Sequence, residues 1–537
     1  MYYKFLFSLL LLHLLLIAPG AAQETYRTFE EMSETLQQLE SDYPESVSVQ
    51  SIATSPGGHD IWQVTIGSGD IENTPALAIV SGVDGAHILG IEMALKITER
   101  LADPSNSDQL PENHVFHIFP NLNPDASEQY FSSVRYKRSV NSKPTDLDRD
   151  GVTSEDPYDD LNGDGQITMM RIQDATGSWI LHPDDERVMI EADPLKSQQG
   201  AYRLLTEGRD NDGDGSFNED QEGGVNINKN FTYQHPSFEY GSGEFPVSEM
   251  ENRALADLLF DTFNIYAVLT FSPNNNLSNP WTYSRSDAAK RVITGILESD
   301  EKVFQSVSEL YKDIVPQENA TDYSLQQGGF PEWAYFHYAR YSFTTGGWWL
   351  PEISEENGPA NDDLDYLRWA DSMGIEPFIE WQEIDHPDFP NHVVEVGGIQ
   401  PFAMSTPPYS FVDSLAGLHL DFIEKLTAMK ADLVFQNIKV EEAGRNLTRI
   451  TLDLHNRGSL PTSTELGTRT QWVRPINVEI DTDDSVQILS GMPRFQIERL
   501  MGGESQQLTW LISGSGTVTL SAGSPSAGFA NFQQTIR

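Results

Sequence analysis

Three short stretches of this chain place side-chain oxygens at every second position and end in glycine. They are Asp146-x-Asp148-x-Asp150-Gly151, Asp160-x-Asn162-x-Asp164-Gly165 and Asp210-x-Asp212-x-Asp214-Gly215. Alternating carboxylates and amides converge on one hard cation, and the glycine permits the sharp turn that brings them round. The spacing matches the first half of an EF-hand loop. The glutamate that closes such a loop is missing: Pro157, Arg171 and Gln221 stand in its place, with Glu155, Asp156, Asp159, Glu219 and Asp220 nearby. The stretches are therefore calcium-loop-like, and calcium is the cofactor they imply. A second set of ligand-type residues, Asp84 and His87, follows the apolar run Leu77–Val83. Both are legitimate ligands of a catalytic metal.

The elements that must position these residues can be read from periodicity. Met32, Leu36 and Leu39 share one face and predict a helix over Thr28–Tyr43. Leu77–Val83 and Val115–Phe119 predict buried strands, and a helix is expected over Ile91–Leu101. Ser248–Phe263 predicts a helix with Ser248 as N-cap and Glu251 completing a capping box. Ile265–Phe271 is a further strand. Strands alternating with helices imply an α/β domain on a mainly parallel or mixed sheet. Active sites in such sheets lie at the carboxyl ends of strands, where Asp84, Asn123 and Ser272 all fall. After a helix around Leu415, Leu418, Phe422 and Leu426, the pattern changes. From Ala431 onward it alternates, as in Ile450-Thr-Leu452-Asp-Leu454, between turns rich in Gly, Ser and Pro. An Ig-like β-sandwich is expected over 431–537.

Several segments, in order, resemble a known family. They are Pro75 to His87, Asn123-Pro124-Asp125, Arg138, Asn226-Ile-Asn228-Lys229-Asn230, Pro246-Val-Ser248-Glu249-Met-Glu251, Ala267 to Ser272, Glu332-Trp333-Ala-Tyr335, and Tyr341 to Gly346. The series resembles the zinc carboxypeptidases of the M14 family, over roughly residues 25 to 430. The resemblance implies a mixed sheet flanked by helices over 23–430, with an acidic insert at about 139–225. It also implies zinc, held by residues in the places of Asp84, His87 and Ser272. The place of the general-base Glu, thirteen residues after Trp333, is Gly346. Arg138 stands at the oxyanion-stabilising Arg, fifteen residues after Asn123. Asn228 and Lys229 stand where the substrate's terminal carboxylate is held, and Tyr323 stands near the mobile substrate Tyr with spacing off by one.

A catalytic zinc takes three ligands from His, Glu and Asp and keeps a water in an open position. The metal activates that water, a carboxylate takes its proton, and an Arg stabilises the oxyanion. Ser272 is a poor third ligand, because a neutral hydroxyl does not compete with imidazole or carboxylate. Gly346 has no side chain to act as base. Asp385, His386 and His392 offer other ligands if the register of one segment is misread.

Composition narrows the partners. The net charge is −47, which argues against nucleic acid and anionic lipid surfaces. Residues 1–22 read as a secretory signal peptide: Lys4, an apolar run from Phe5 to Ile17, then Pro19-Gly-Ala-Ala22. No later run is long and apolar enough for a membrane span. There is no Cys, so an exported protein of the bacterial periplasm or exterior, without disulfides, is expected. Three readings result. One is a catalytically impaired carboxypeptidase-like protein whose groove takes the C-terminus of a peptide or peptidoglycan stem. Another is an active metallopeptidase with an atypical ligand set built on Asp84 and His87. The third is a calcium-stiffened architectural protein of the envelope.

Overall fold

The computed structural model describes residues 25–536, apart from 104, 106–113, 147–150, 152, 155, 214, 216, 219–222, 318, 319, 321, 322, 324 and 352–360. The expected leader, together with Asp148, Asp150, Asp214, Glu155, Glu219 and Asp220, lies outside the described residues.

Helix α1 (Phe29–Asp42) begins where two side chains satisfy its orphan amides. The Thr28 hydroxyl accepts from Glu31 N–H and the Glu31 carboxylate accepts from Thr28 N–H. Strands β1 (Val47–Thr54) and β2 (Asp60–Ile66) pair antiparallel. Strand β3 (Ala76–Ser81) is buried at all six positions, as an apolar run covered on both faces should be. It feeds α2 (Ile88–Ala102), and β4 (Val115–Phe119) then feeds the short α3 (Pro124–Ser127). The Asn123 side chain caps α3 by accepting from Ala126 N–H.

Four strands follow in the insert: β5 (Met169–Gln173), β6 (Trp179–Leu181), β7 (Met189–Glu191) and β8 (Tyr202–Thr206). The chain returns through α4 (Met250–Asp261) to β9 (Ile265–Phe271), then α5 (Arg285–Ala288), α6 (Glu298–Lys312), α7 (Phe330–Phe336) and β10 (Tyr341–Thr345). The main sheet runs β1-β2-β4-β3-β9-β10, with β4, β3, β9 and β10 parallel. Alternation along β3 divides the core. Leu77 and Ile79 pack with α2 and with α9 (Val412–Ala428), while Ala76, Ala78 and Val80 face Leu255 and Leu259 of α4 and Trp333 of α7.

A second six-stranded sheet was not expected. Helix α8 (Asp362–Met373) leads into β11 (Phe378–Ile384) and β12 (Val394–Ile399). These join the insert in the order β11-β12-β5-β8-β6-β7. The insert thus supplies four of the six strands of an antiparallel sheet, three to five residues long and too short to show a period.

One helix start differs from expectation. Helix α4 begins at Met250 with Glu249 at the N-cap and no side-chain cap. The Ser248 hydroxyl instead donates to the Glu249 carboxylate at 2.6 Å, and Glu251 turns inward to accept from Asn141 at 3.0 Å. A buried amide donor takes the carboxylate that would otherwise close the cap.

The C-terminal strands are β13 (Leu433–Gly444), β14 (Leu447–Asn456), β15 (Ile476–Thr482), β16 (Val486–Ser490), β17 (Arg494–Ile497), β18 (Ser505–Gly514), β19 (Gly516–Ser524) and β20 (Gly528–Ile536). Between β14 and β15 lies α10 (Glu465–Thr470). The strands form two antiparallel four-stranded sheets, β13-β14-β18-β16 and β17-β15-β19-β20. Leu452, Trp510 and Ile512 of one sheet and Val478, Val518 and Leu520 of the other share one core, so the sheets pack face to face.

Candidate functional site

Three strand ends supply the site. The turn after β3 carries Asp84 and His87, the end of β9 carries Ser272, and the end of β10 carries Gly346. Because β3, β9 and β10 are neighbours in parallel register, their carboxyl ends open on one edge. His87 is the N-cap residue of α2, and its Nε2 lies 3.1 Å from the Gly346 carbonyl. Its Nδ1 faces Gly90, where a Cβ would stand 2.5 Å away; only glycine leaves room for the ring there. Asp84 is half-buried and accepts from Ala86 N–H at 3.2 Å. Burial pushes the Asp84 carboxyl up and the His87 imidazole down, each partly opposed by the other's charge.

Ser272 is fully buried. Its backbone N–H donates to Thr345 at 3.0 Å. Its hydroxyl lies 3.3 Å from the Thr344 hydroxyl and accepts from Asn274 N–H at 3.2 Å. A Cβ at position 346 would meet nothing nearer than the Trp349 indole nitrogen at 3.6 Å, and φ of Gly346 is not in the left-handed region. Neither packing nor backbone conformation demands glycine there. The Lys137 ammonium, which the sequence did not single out, is within electrostatic reach of Asp84 and of Asp363 in α8. Burial lowers its pKa and these two carboxylates oppose that.

Arg138 is buried and spent on its own loop. Its Nε donates to the Val140 carbonyl at 3.0 Å and its Nη2 to the Asn141 carbonyl at 2.9 Å. Asn228 is buried, and its Oδ1 accepts from Phe330 N–H at 2.9 Å. Lys229 is half-buried, with no ion pair among the described residues. The Tyr323 hydroxyl donates to the buried carboxylate of Glu332. Desolvation pushes the Glu332 carboxyl up to about 7.

The acidic loops fold alike where described. In each, the first carboxylate accepts from the glycine amide five residues on: Asp146 from Gly151 at 3.0 Å, Asp160 from Gly165 at 2.8 Å, Asp210 from Gly215 at 3.0 Å. Asn162 and Asp164 bond each other at 2.9 Å. Asp212 is exposed beside Asp210. Buried Glu207, which sequence reasoning missed, accepts from Leu161 and Thr168 amides and feels the charges of Asp160 and Asp164. His386 joins this region rather than the strand ends: its Nε2 lies 3.0 Å from the Gly208 carbonyl.

Residues 32–170 match the family described as zinc carboxypeptidase, peptidase M14, and residues 432–535 match a domain of unknown function, DUF8731. Carboxypeptidase SOL1 of Arabidopsis thaliana is 29% identical over 144 residues, covering 26% of this chain and 28% of its own. Carboxypeptidase B of Astacus astacus is 25% identical over 120 residues, covering 22% and 39%. The chain thus spans less than two fifths of the curated relatives it matches. Among solved structures, carboxypeptidase A from Helicoverpa armigera is 14% identical with a TM-score of 0.43, covering 75% of this chain and 73% of its own. Residues 32–170 are thus similar to the M14 zinc carboxypeptidases. The matched segment holds Asp84, His87, Asn123 and Arg138; Asn228, Ser272 and Gly346 lie beyond it.

The family's zinc has a clear test in the donor set. Among the described residues, no three His, Cys, Asp or Glu side chains come together to hold a metal ion. His87 Nε2 faces a carbonyl and the Ser272 hydroxyl is already engaged. The residues present do not fit a three-ligand zinc. No helix among the described residues is long and apolar enough to cross a membrane.

Proposed function

We propose that this protein grips peptide C-termini in the groove at the strand ends and does not cleave them by the family's mechanism. The observation that carries the reading is the meeting of His87 with the Gly346 carbonyl beside Ser272. The place of the general base has no side chain, and the place of the third ligand has a neutral hydroxyl with partners of its own. In this reading Lys229 and Asn228 anchor the terminal carboxylate, and Arg138 braces the loop it stands in. Export to the periplasm or exterior belongs to the same reading, on the strength of residues 1–22.

The purified protein is expected to release no amino acid from peptides ending in aromatic, aliphatic or basic residues. Gly346→Glu has room at its Cβ and is still expected to give no turnover, because the metal ligands are also altered. Metal-dependent release that disappears in Asp84→Ala and His87→Ala would establish the active, atypical enzyme instead. Binding is read by calorimetric titration. Charge-assisted contacts are worth about 1.5–3 kcal/mol, so amidating the C-terminus should weaken binding roughly tenfold or more. Lys229→Ala should abolish most of that difference. Equal affinities, or no binding of either peptide, would favour the architectural reading.

Calcium is a further part of the proposal, supported by the oxygen-rich loops around Asp146, Asp160 and Asp210. A ligand of the folded state alone stabilises it by about 2.7 kcal/mol at a hundredfold excess over Kd. Melting in millimolar calcium against EDTA should show a rise of several degrees. An unchanged Tm, with no calcium retained after dialysis, would refute it.

A further inference from the structure

The segment before α7 carries a side chain that bridges the Asn228 turn and the residues after β9. Gln326 donates from Nε2 to the Asn228 carbonyl at 2.9 Å and accepts at Oε1 from the Asn274 side-chain amide at 2.9 Å. Asn274 in turn donates its backbone N–H to the Ser272 hydroxyl. One side-chain amide therefore ties the Asn228–Lys229 end of the groove to the Ser272 end. The segment is held in register from behind. The Gln326 N–H donates to Glu332 at 2.8 Å, and the Gly328 N–H donates to the Tyr233 carbonyl at 2.6 Å. Gly328 sits at φ +70°, and a Cβ there would stand 2.1 Å from the Lys229 carbonyl oxygen. Glycine alone lets the segment lie so close to the anchor residue.

The chemistry of the two contacts says what the side chain imitates. The Asn228 carbonyl can only accept, and the Asn274 amide nitrogen can only donate. A carboxylate satisfies the second and is repelled by the first. A peptide group, with one N–H and one C=O, satisfies both. We propose that Gln326 is an internal occupant of the groove, and that a bound peptide displaces it so that a peptide bond of the ligand takes over the Asn228 carbonyl and the Asn274 amide. The terminal carboxylate then lies toward Lys229. Asn274 thereby becomes a specificity-determining residue, and Gln326 the gate. The proposal rests on the peptide-binding reading above and adds to it which ligand atoms are read.

The occupant lowers apparent affinity by the fraction of molecules in which the groove is open. Gln326→Ala should therefore bind a free-carboxylate peptide roughly five- to tenfold more tightly than the wild type, the scale set by two neutral hydrogen bonds. The same peptide N-methylated at its last peptide bond has lost the donor for the Asn228 carbonyl, and should bind both proteins at least roughly fivefold more weakly. A second measurement needs no variant. In wild-type protein, the Gln326 side-chain amide protons should lose their protection from exchange when the peptide binds, since that side chain must leave Asn228 and Asn274. If wild type binds and Gln326→Ala binds no tighter, the gate is wrong and the peptide-binding reading survives. If the Gln326 side-chain amide protons stay protected on binding, the side chain remains in place and the gate is equally wrong. Equal binding of the N-methylated peptide refutes the assignment to a peptide bond. If neither protein binds any peptide, the reading itself fails and the gate goes with it.

Discussion

Replacing Asp300 with alanine is expected to destabilise the protein by about 3–5 kcal/mol, the cost of breaking a buried pair from one side. Asp300 lies in the first turn of α6 with no solvent exposure. Its carboxylate accepts from the Glu465 N–H at 2.8 Å, the Leu466 N–H at 3.3 Å, the Tyr335 hydroxyl at 2.8 Å and Arg499 Nη2 at 3.1 Å. Glu465 and Leu466 open α10, and Arg499 follows β17. One carboxylate thus joins α6 and α7 to the C-terminal sandwich. Without it, two first-turn amides and a largely buried guanidinium lose their acceptor. Arg499 keeps the Ser463 carbonyl and the Ser299 hydroxyl, which makes the lower end of the range the better expectation. Asp300→Asn retains an acceptor oxygen and should cost less. Calorimetry is expected to show one transition for the wild type and, for the variant, the sandwich melting apart from the remainder. A loss below about 1 kcal/mol with one unchanged transition would mean that apolar contacts such as Phe260 against Trp472, not Asp300, hold the two parts together.

The second large effect concerns pH. Glu249 and Glu251 both accept from the Asn141 amide, at 3.2 and 3.0 Å. Glu249 has Lys143 at 3.0 Å and the Ser248 hydroxyl as further partners. Glu251 has no partner for its Oε2 among the described residues. Burial first, then the charges of Glu249 and Asp125, push the Glu251 carboxyl up to about 7 against the help of Asn141. A folded-state pKa above the unfolded value of 4.5 means that the folded protein binds the extra proton. The stability this group contributes is full below pH 4.5, declines as pH rises toward 7, and is flat above. Glu251→Gln removes the titration and keeps an acceptor for Asn141. The stability of the variant relative to wild type should therefore increase between about pH 5 and pH 8, by at most about 3 kcal/mol at about 1.4 kcal/mol per unit. Urea denaturation of both proteins at the two pH values measures it. A difference that stays constant, or shrinks as pH rises, would show that Glu251 is ionised throughout.

These two residues mark the limit of sequence reasoning. Glu251 read as one half of a local cap, because Ser248 and Glu251 have the right spacing. The structure turns it inward to Asn141, more than a hundred positions away in the chain. Asp300 carries no local signal in the sequence. Nothing local distinguishes it from Glu298 or Glu301; what does so is the arrival of α10 and Arg499 from the far end of the sequence. Gln326, Lys137 and Glu207 went unnoticed for the same reason. Each is an ordinary polar residue until a distant segment becomes its partner.

Elements with local signals were legible in the residues alone. The apolar runs of β3, β4 and β9, the Thr28–Glu31 cap of α1, and the alternation after Ala431 follow from short-range periodicity and capping chemistry. The order of the motifs is legible in the sequence as well, as a resemblance to the M14 family. The types of residue at Asp84, His87, Ser272 and Gly346 were legible there too. Which groups meet was settled only when the chain folded. Folding brought the His87 ring to the Gly346 carbonyl, spent Arg138 on its own loop, laid Gln326 between Asn228 and Asn274, and built the second sheet from β5–β8 with β11 and β12. The reason is physical. A strand or helix is specified by neighbours within a few residues, whereas a buried polar group is specified by whichever donor or acceptor, at any distance along the chain, is left to satisfy it.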